Sequence, residues 1–249
     1  MTNNNKSRLL LYLWVFIIGI MVIPMLVSCG KSGVSAGSNS NARMQIVNLS
    51  PDIQPFNLYA FYIKQGTNAY SYPLASGYFL INAIDTPYQI RTAQTTNGVN
   101  PTNLLTLQGK IQPKVPYTWF VAGLRNDSSL TSILTVDTGS LPANGRGKIR
   151  FVNASPGTIG LDLTANASIA FKDVKYKQVT DYLELTAGSY NLNVAATNAP
   201  TTVLSGLPNF TVLDGKLYTM YFYGLASKTD TAAYGANIIL NSLPPGTTY

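Results

Sequence analysis

Among its 249 residues the chain has no histidine, one cysteine (Cys29) and one glutamate (Glu184), and only 11% of its residues are charged. Each shortage removes a class of chemistry. Without histidine a Ser-His-Asp triad cannot be built, and the commonest acid–base group at neutral pH is missing. Transition-metal sites lose their usual nitrogen and sulfur ligands, so no metal and no cofactor is expected. One cysteine gives no disulfide framework. Short motifs do not reverse this. Gly33-Val34-Ser35-Ala36-Gly37 spells a nucleophile elbow but lacks the strand and helix that expose such a serine. Gly30-Lys31-Ser32 lacks the first P-loop glycine, because Met25 stands there. The expectation is a protein that is not an enzyme.

What is plentiful is 16 tyrosines and 46% hydrophobic residues, with abundant Thr, Val and Asn. That balance suits half-buried β-strands better than amphipathic helices or a disordered chain. At the N-terminus Lys6 and Arg8 precede an uncharged stretch, Leu9 to Val27, which ends in Leu26-Val27-Ser28-Cys29. This ending resembles the lipobox of bacterial lipoproteins. The resemblance implies cleavage before Cys29, lipidation of its sulfur and a membrane anchor of two or three acyl chains. An uncleaved membrane-spanning helix is the alternative, since the apolar run is long enough to span. The net charge of +7 falls to +5 once Lys6 and Arg8 leave, which is too diffuse to imply nucleic acid. From Gly30 to Ala42 the Gly, Ser and Asn content reads as a flexible tether. Gly30 in place of the aspartate that retains enterobacterial lipoproteins in the inner membrane implies the bacterial outer membrane. Lys31-Ser32-Gly33 lacks the acidic residues associated with surface export in Bacteroidetes, so periplasmic and cell-surface display both stay open.

The remainder repeats. Ile46-Val47-Asn48-Leu49-Ser50-Pro51 recurs as Phe151-Val152-Asn153-Ala154-Ser155-Pro156, Tyr117-Thr118 with Gly123-Leu124 as Tyr218-Thr219 with Gly224-Leu225, and Ser140-Leu141-Pro142 as Ser242-Leu243-Pro244. The expected organisation is a signal over 1–28, lipidated cysteine and tether over 29–42, and domains over 43–146 and 147–249. In the second copy short strands are expected at Lys148–Asn153, Gly160–Ala165, Ala170–Val174, Tyr182–Thr186, Tyr190–Ala195, Asn209–Leu213, Leu217–Tyr223 and Asn237–Leu240. Tyr190, Leu192 and Val194 share one face of their strand, with Asn191 and Asn193 on the other. Tyr190, and Tyr88 in the first copy, enter a strand after a tight turn, like the tyrosine corner of immunoglobulin-like domains. The predicted fold is therefore all-β: two tandem immunoglobulin-like antiparallel β-sandwiches.

Ile149-Arg150-Phe151-Val152-Asn153-Ala154-Ser155-Pro156, Val179-Thr180-Asp181-Tyr182-Leu183, Ala187-Gly188-Ser189-Tyr190 and Asp214-Gly215-Lys216-Leu217-Tyr218-Thr219 resemble domain of unknown function 4397, found in bacterial surface and secreted proteins. The first copy fits more loosely, through Asn48-Leu49-Ser50-Pro51-Asp52. Members of that family often have histidine where this chain has Asn48 and Asn153, so any role of that histidine is absent here. The resemblance implies fold and location, and no activity.

Candidate ligand-binding residues are the tyrosines Tyr59, Tyr62, Tyr70, Tyr72 and Tyr78, a set that suits either sugar stacking or strand packing, and Lys172, Lys175 and Lys177, the densest basic cluster. Lys175 and Lys177 alternate with Val174 and Tyr176, as in an edge strand that guards itself against pairing. Trp119 is expected to fill a core, with Met220 as its counterpart. Asp162, Asp173, Asp181 and Asp214 are expected in turns and on solvent faces. The two Asn-x-Ser-Pro segments are expected to be capped strand ends. The function expected is that of a lipid-anchored envelope protein with a structural, adhesive or ligand-binding role. A carbohydrate-binding accessory lipoprotein is the alternative, and an aspartate-dependent glycan hydrolase a distant one. Expected partners are the membrane, through Cys29, and a glycan or another envelope protein.

Overall fold

The computed structural model describes residues 39–93 and 100–241. Leu26, Val27, Ser28, Cys29, most of the tether and Ser242-Leu243-Pro244 lie outside them. Among the described residues there are sixteen strands and no helix. The first repeat holds β1 (Asn41–Asn48), β2 (Phe56–Ala60), β3 (Ile63–Lys64), β4 (Phe79–Asn82), β5 (Tyr88–Thr92), β6 (Asn103–Thr106), β7 (Pro116–Ala122) and β8 (Thr131–Val136). The second holds β9 (Arg146–Asn153), β10 (Leu161–Ala165), β11 (Ser168–Val174), β12 (Leu183–Thr186), β13 (Gly188–Ala196), β14 (Ala199–Val212), β15 (Leu217–Tyr223) and β16 (Gly235–Leu240). Because β1 opens at Asn41, the first strand overlaps the last two residues of the expected tether.

Each repeat is a sandwich of two four-stranded sheets. The orders are β4-β1-β7-β8 and β3-β2-β5-β6 in the first, β12-β9-β15-β16 and β11-β10-β13-β14 in the second. The sheets are antiparallel except for one pair in each repeat: β1 runs parallel to β7, and β9 to β15. A strand that opens a repeat thus lies beside one that arrives late, which local sequence patterns do not encode. Tyrosine corners close both sandwiches. The Tyr88 hydroxyl donates to the Asn82 carbonyl (2.6 Å), and the Tyr190 hydroxyl to that of Thr186 (3.0 Å).

The four strands β1, β7, β9 and β15 are buried on both faces, and their near-continuous apolar sequences reflect this. Period-2 alternation splits their side chains between cores. Met44, Ile46, Trp119 and Val121 enter the core of the first sandwich, while Ile149, Phe151, Met220 and Phe222 enter that of the second. Val47, Leu49, Phe120 and Ala122 point the other way and meet Val152, Ala154, Tyr221 and Ile239 in a third core shared by both repeats. Phe120 and Tyr221 pack with ring centroids 5.4 Å apart. Burial of such side chains stabilises the contact by roughly 1.5–3 kcal/mol each. The repeats therefore form one compact unit of four stacked sheets rather than two modules on a linker.

Repeated sequence elements have local causes. Asn48 accepts the Ser50 amide on its side-chain oxygen (3.1 Å) and donates to the Tyr70 carbonyl (3.2 Å). Asn153 does the same with Ser155 (3.1 Å) and the Val174 carbonyl (3.0 Å). Each asparagine caps a strand end and ties one sheet of its sandwich to the other. Gly123 and Gly224 have φ of 82° and 90°, and a Cβ at either would lie 2.2 Å from a carbonyl oxygen across the hairpin.

Candidate functional site

The buried polar groups concentrate where the sandwiches meet. Arg150 on β9 pairs with Asp137 through Nη2, donates from Nε to Thr219 (2.8 Å) and from Nη1 to the Val136 carbonyl (2.7 Å), and its guanidinium lies 4.9 Å over the Tyr182 ring. Asp137, only 2% exposed, also accepts from Thr118 (2.6 Å), Thr135 (2.8 Å) and Tyr78 (2.6 Å). Asn241 donates to the Tyr78 hydroxyl (3.0 Å) and accepts from Thr219 (2.5 Å) and Tyr182 (3.3 Å). Strand registers make this cluster a near-symmetric pair: Gln45, Tyr78, Thr118 and Asp137 in one repeat occupy the places of Arg150, Tyr182, Thr219 and Asn241 in the other. Burial, with Asp137 second, pushes the Tyr78 hydroxyl far above its ordinary range, and burial raises Tyr182 to about 12.

A second matched pair flanks it. Tyr72 stands edge-on to Tyr223, rings 5.9 Å apart, with Asp230 of the second repeat close enough to act on it electrostatically. Tyr176 likewise packs on the shared core and feels Asp127 of the first repeat. Burial first, then Tyr223 and Asp230 at Tyr72 and Asp127 at Tyr176, lifts both hydroxyls to about 12. Tyr70 belongs to the core of the first sandwich, stacked on Phe56 at 5.5 Å. Three of the five candidate tyrosines thus serve packing.

Tyr59 and Tyr62 have a different setting. On β2, Phe56, Leu58 and Ala60 face inward and Tyr59 outward. The β2–β3 hairpin turns through Phe61 and Tyr62, with φ of 46° and 65°. Such a turn favours Asn-Gly, and left-handed backbone at a bulky residue costs roughly 1–2 kcal/mol. Yet both rings are about 60% exposed and fill no core. The Arg91 guanidinium lies 4.7 Å over the Tyr59 ring and 5.6 Å over that of Tyr62. Gln89 holds it, accepting from Nε (3.2 Å) and Nη2 (2.5 Å). An aromatic platform with a fixed cation results, on the open face of the β3-β2-β5-β6 sheet. Sequence reasoning found Tyr59 and Tyr62 and missed Arg91 and Phe61; the signal was two aromatics at a hairpin turn that ordinarily takes Asn-Gly.

The other candidates do not join it. An open groove of about 470 Å³ in the first repeat is lined by neutral residues, including Gln65, Asn68, Tyr70, Leu74 and Phe79. Lys172 is exposed on β11, which is an edge strand as expected, but that strand ends at Val174. Lys175 and Lys177 belong to the following turn, where Lys177 has φ of 68°, because the chain must swing back to pair with Asn153. Lys175 is paired with Asp173 (2.6 Å), and Lys177 lies 5.7 Å over the Tyr176 ring. The aspartates are spread over separate local tasks. Asp162, buried, accepts the Asp173 amide (2.8 Å) and the Thr197 hydroxyl (2.5 Å). Asp214 accepts the Gly145 and Arg146 amides (2.8 and 3.2 Å), and Asp181 is exposed. Among the described residues no three His, Cys, Asp or Glu side chains gather in a metal-binding group.

The molecule is thus an all-β protein of two fused sandwiches built on one strand order. The family model described as Domain of unknown function (DUF4397) matches residues 42–164 and again 147–236, and the chain belongs to that family, with its domain in tandem. Among curated proteins none matches the chain.

Proposed function

We propose that this protein is a non-catalytic binding protein of the bacterial cell envelope, anchored in the outer membrane by lipid on Cys29, with its ligand received on the open face of the first sandwich. The observation that carries the binding role is the Phe61–Tyr62 turn. Exposed aromatic side chains held in left-handed backbone beside a braced arginine fill no core and gain only surface contacts with each other and with Arg91, and strain of that kind is characteristic of sites kept for recognition. The anchor is supported by the charged start, the apolar run and the lone cysteine at the end of Leu26-Val27-Ser28-Cys29.

Intact mass of the protein from its native membrane tests the anchor. A chain starting at Cys29 with acyl groups, absent from a Cys29→Ala variant, is the expected result; an unprocessed Met1 chain refutes it. Protease shaving of whole cells then reads which face it occupies. For binding, titration with soluble envelope polysaccharide should saturate without release of new reducing ends. A structural spacer is the second reading, and the shared core favours it, since fusion of the repeats gives a stiff body.

A further inference from the structure

We infer that the ligand of the open face is an acidic glycan, a uronate-bearing polysaccharide whose sugar ring lies on Tyr62 and Tyr59 while Arg91 takes its carboxylate. This rests on the binding role proposed above and narrows it to a ligand class. Sugar rings present flat apolar C–H faces edged by hydroxyls, and an exposed tyrosine offers both a ring face and a polar rim. Charge decides the rest. The outward sheet positions around the platform are Lys64, paired across from Tyr59, the neutral Gln89 and Thr106, and Asn57, which is buried; none is acidic. Asp85, whose carbonyl accepts the Phe61 amide, directs its carboxylate to the Asn82 side chain (3.1 Å).

Arginine's planar fork matches a carboxylate in a way a lysine cannot. Gln89 engages Arg91 along its Nε–Nη2 side, which fixes the plane of the guanidinium and spends none of the hydrogen-bonding capacity of Nη1. Two cations, Arg91 and Lys64, suit one or two carboxylates and fall short of the run of phosphate contacts that nucleic acid requires. The second repeat confines the site to one copy. Registers place Thr164, Asn193 and Ala195 where the first has Tyr59, Gln89 and Arg91, and its turn carries Asn166-Ala167. One site per chain follows.

The test is calorimetric titration of the full-chain protein in detergent micelles with oligogalacturonate, its methyl-esterified form, dextran and oligo-dT. Saturable one-to-one binding of oligogalacturonate is expected, weakened about tenfold or more by esterification and by Tyr62→Ala or Arg91→Met, and falling with added salt. The double variant Phe61→Asn, Tyr62→Gly should lose binding while its thermal midpoint holds or rises, which separates loss of the site from loss of the fold. Equal binding of the esterified and acidic forms, lost in the Tyr62 variant, overturns the acidic assignment and leaves the binding role intact. Absence of binding to every saccharide, binding unchanged in all the variants, or preference for oligo-dT overturns both.

Discussion

The hairpins Phe61-Tyr62 and Asn166-Ala167 follow nearly the same backbone, with φ of 46° and 65° in one and 48° and 65° in the other. In the second repeat the first turn position suits its residue, while Ala167 shares the left-handed φ of 65° with Tyr62. Asn166 tolerates left-handed backbone, accepts the Asn191 amide (2.9 Å) and donates to the Ser189 carbonyl (3.3 Å). In the first, aromatics stand in the same places, and Tyr62 meets Arg91. The comparison separates what the fold needs from what one copy has added. The faces that meet between the repeats stay matched, position by position, while the open faces have diverged.

The matched interface offers the largest effect. Gln45 and Asp137 in one repeat correspond to Arg150 and Asn241 in the other, so the cluster is symmetric except for one ion pair. Arg150→Gln leaves the buried Asp137 carboxylate without its cation and is expected to lower stability by about 3–5 kcal/mol. Adding Asp137→Asn makes both halves Gln plus Asn and should restore most of the loss. Urea unfolding of the single and double variants gives the coupling directly; additive losses would show that the pair is not the link. Since the repeats share a core, unfolding should remain one transition when followed by Trp119 fluorescence and by circular dichroism.

Alkaline pH probes the same interface. Tyr72, Tyr176 and Tyr182 are lifted to about 12 from an ordinary 10, chiefly by burial. A raised tyrosine favours the protonated, folded state, so its contribution is complete below pH 10 and is lost as pH rises toward 12. With no histidine in the chain, no imidazole titrates near neutrality. The urea midpoint should hold between pH 7 and 9.5 and fall steeply beyond pH 10. A fall that begins near pH 7 would contradict this.

Converting the first turn into a favoured one sharpens the contrast between the open faces. Phe61→Asn with Tyr62→Gly should stabilise the protein by about 1–2 kcal/mol, and Asn166→Phe should destabilise it by a similar amount. Thermal unfolding measures both; destabilisation by the first change would mean that the aromatic rings support the fold after all.

Much of this was legible in the sequence. The period-2 strands, the twin Asn-x-Ser-Pro ends, the tyrosine corners and the Trp119–Met220 correspondence depend on local patterning, and each lies where that patterning points, except that the strand expected at Asn209–Leu213 runs from Ala199 to Val212, paired along its length with β13 through bulges. The parallel β1–β7 and β9–β15 pairs depend on partners distant in the chain. The fusion of the repeats was hidden for a similar reason. Arg150 and Asp137 look like ordinary surface charges until β9 and β8 are seen to face each other across the shared core. Arg91 was obscure because only the β2–β5 register brings it over Tyr59. The tyrosines could be listed from sequence, but which faced inward, toward the other repeat or outward was decided by sheet order.

The smallest effect concerns Tyr72 and Tyr176, which stand at equivalent places and lean on opposite repeats. Their ring packing is shared with the core, and among the described residues neither buried hydroxyl has a hydrogen-bond partner. Removing such a hydroxyl while keeping the ring loses no bond and spares a desolvated polar atom. Tyr176→Phe should therefore be neutral or stabilising by up to about 1 kcal/mol, and Tyr72→Phe should match it if the two halves of the interface are energetically equivalent. Urea midpoints for the two variants make the comparison. A loss at one position and not the other would locate a polar contact that distinguishes the repeats, and would mark where their symmetry ends.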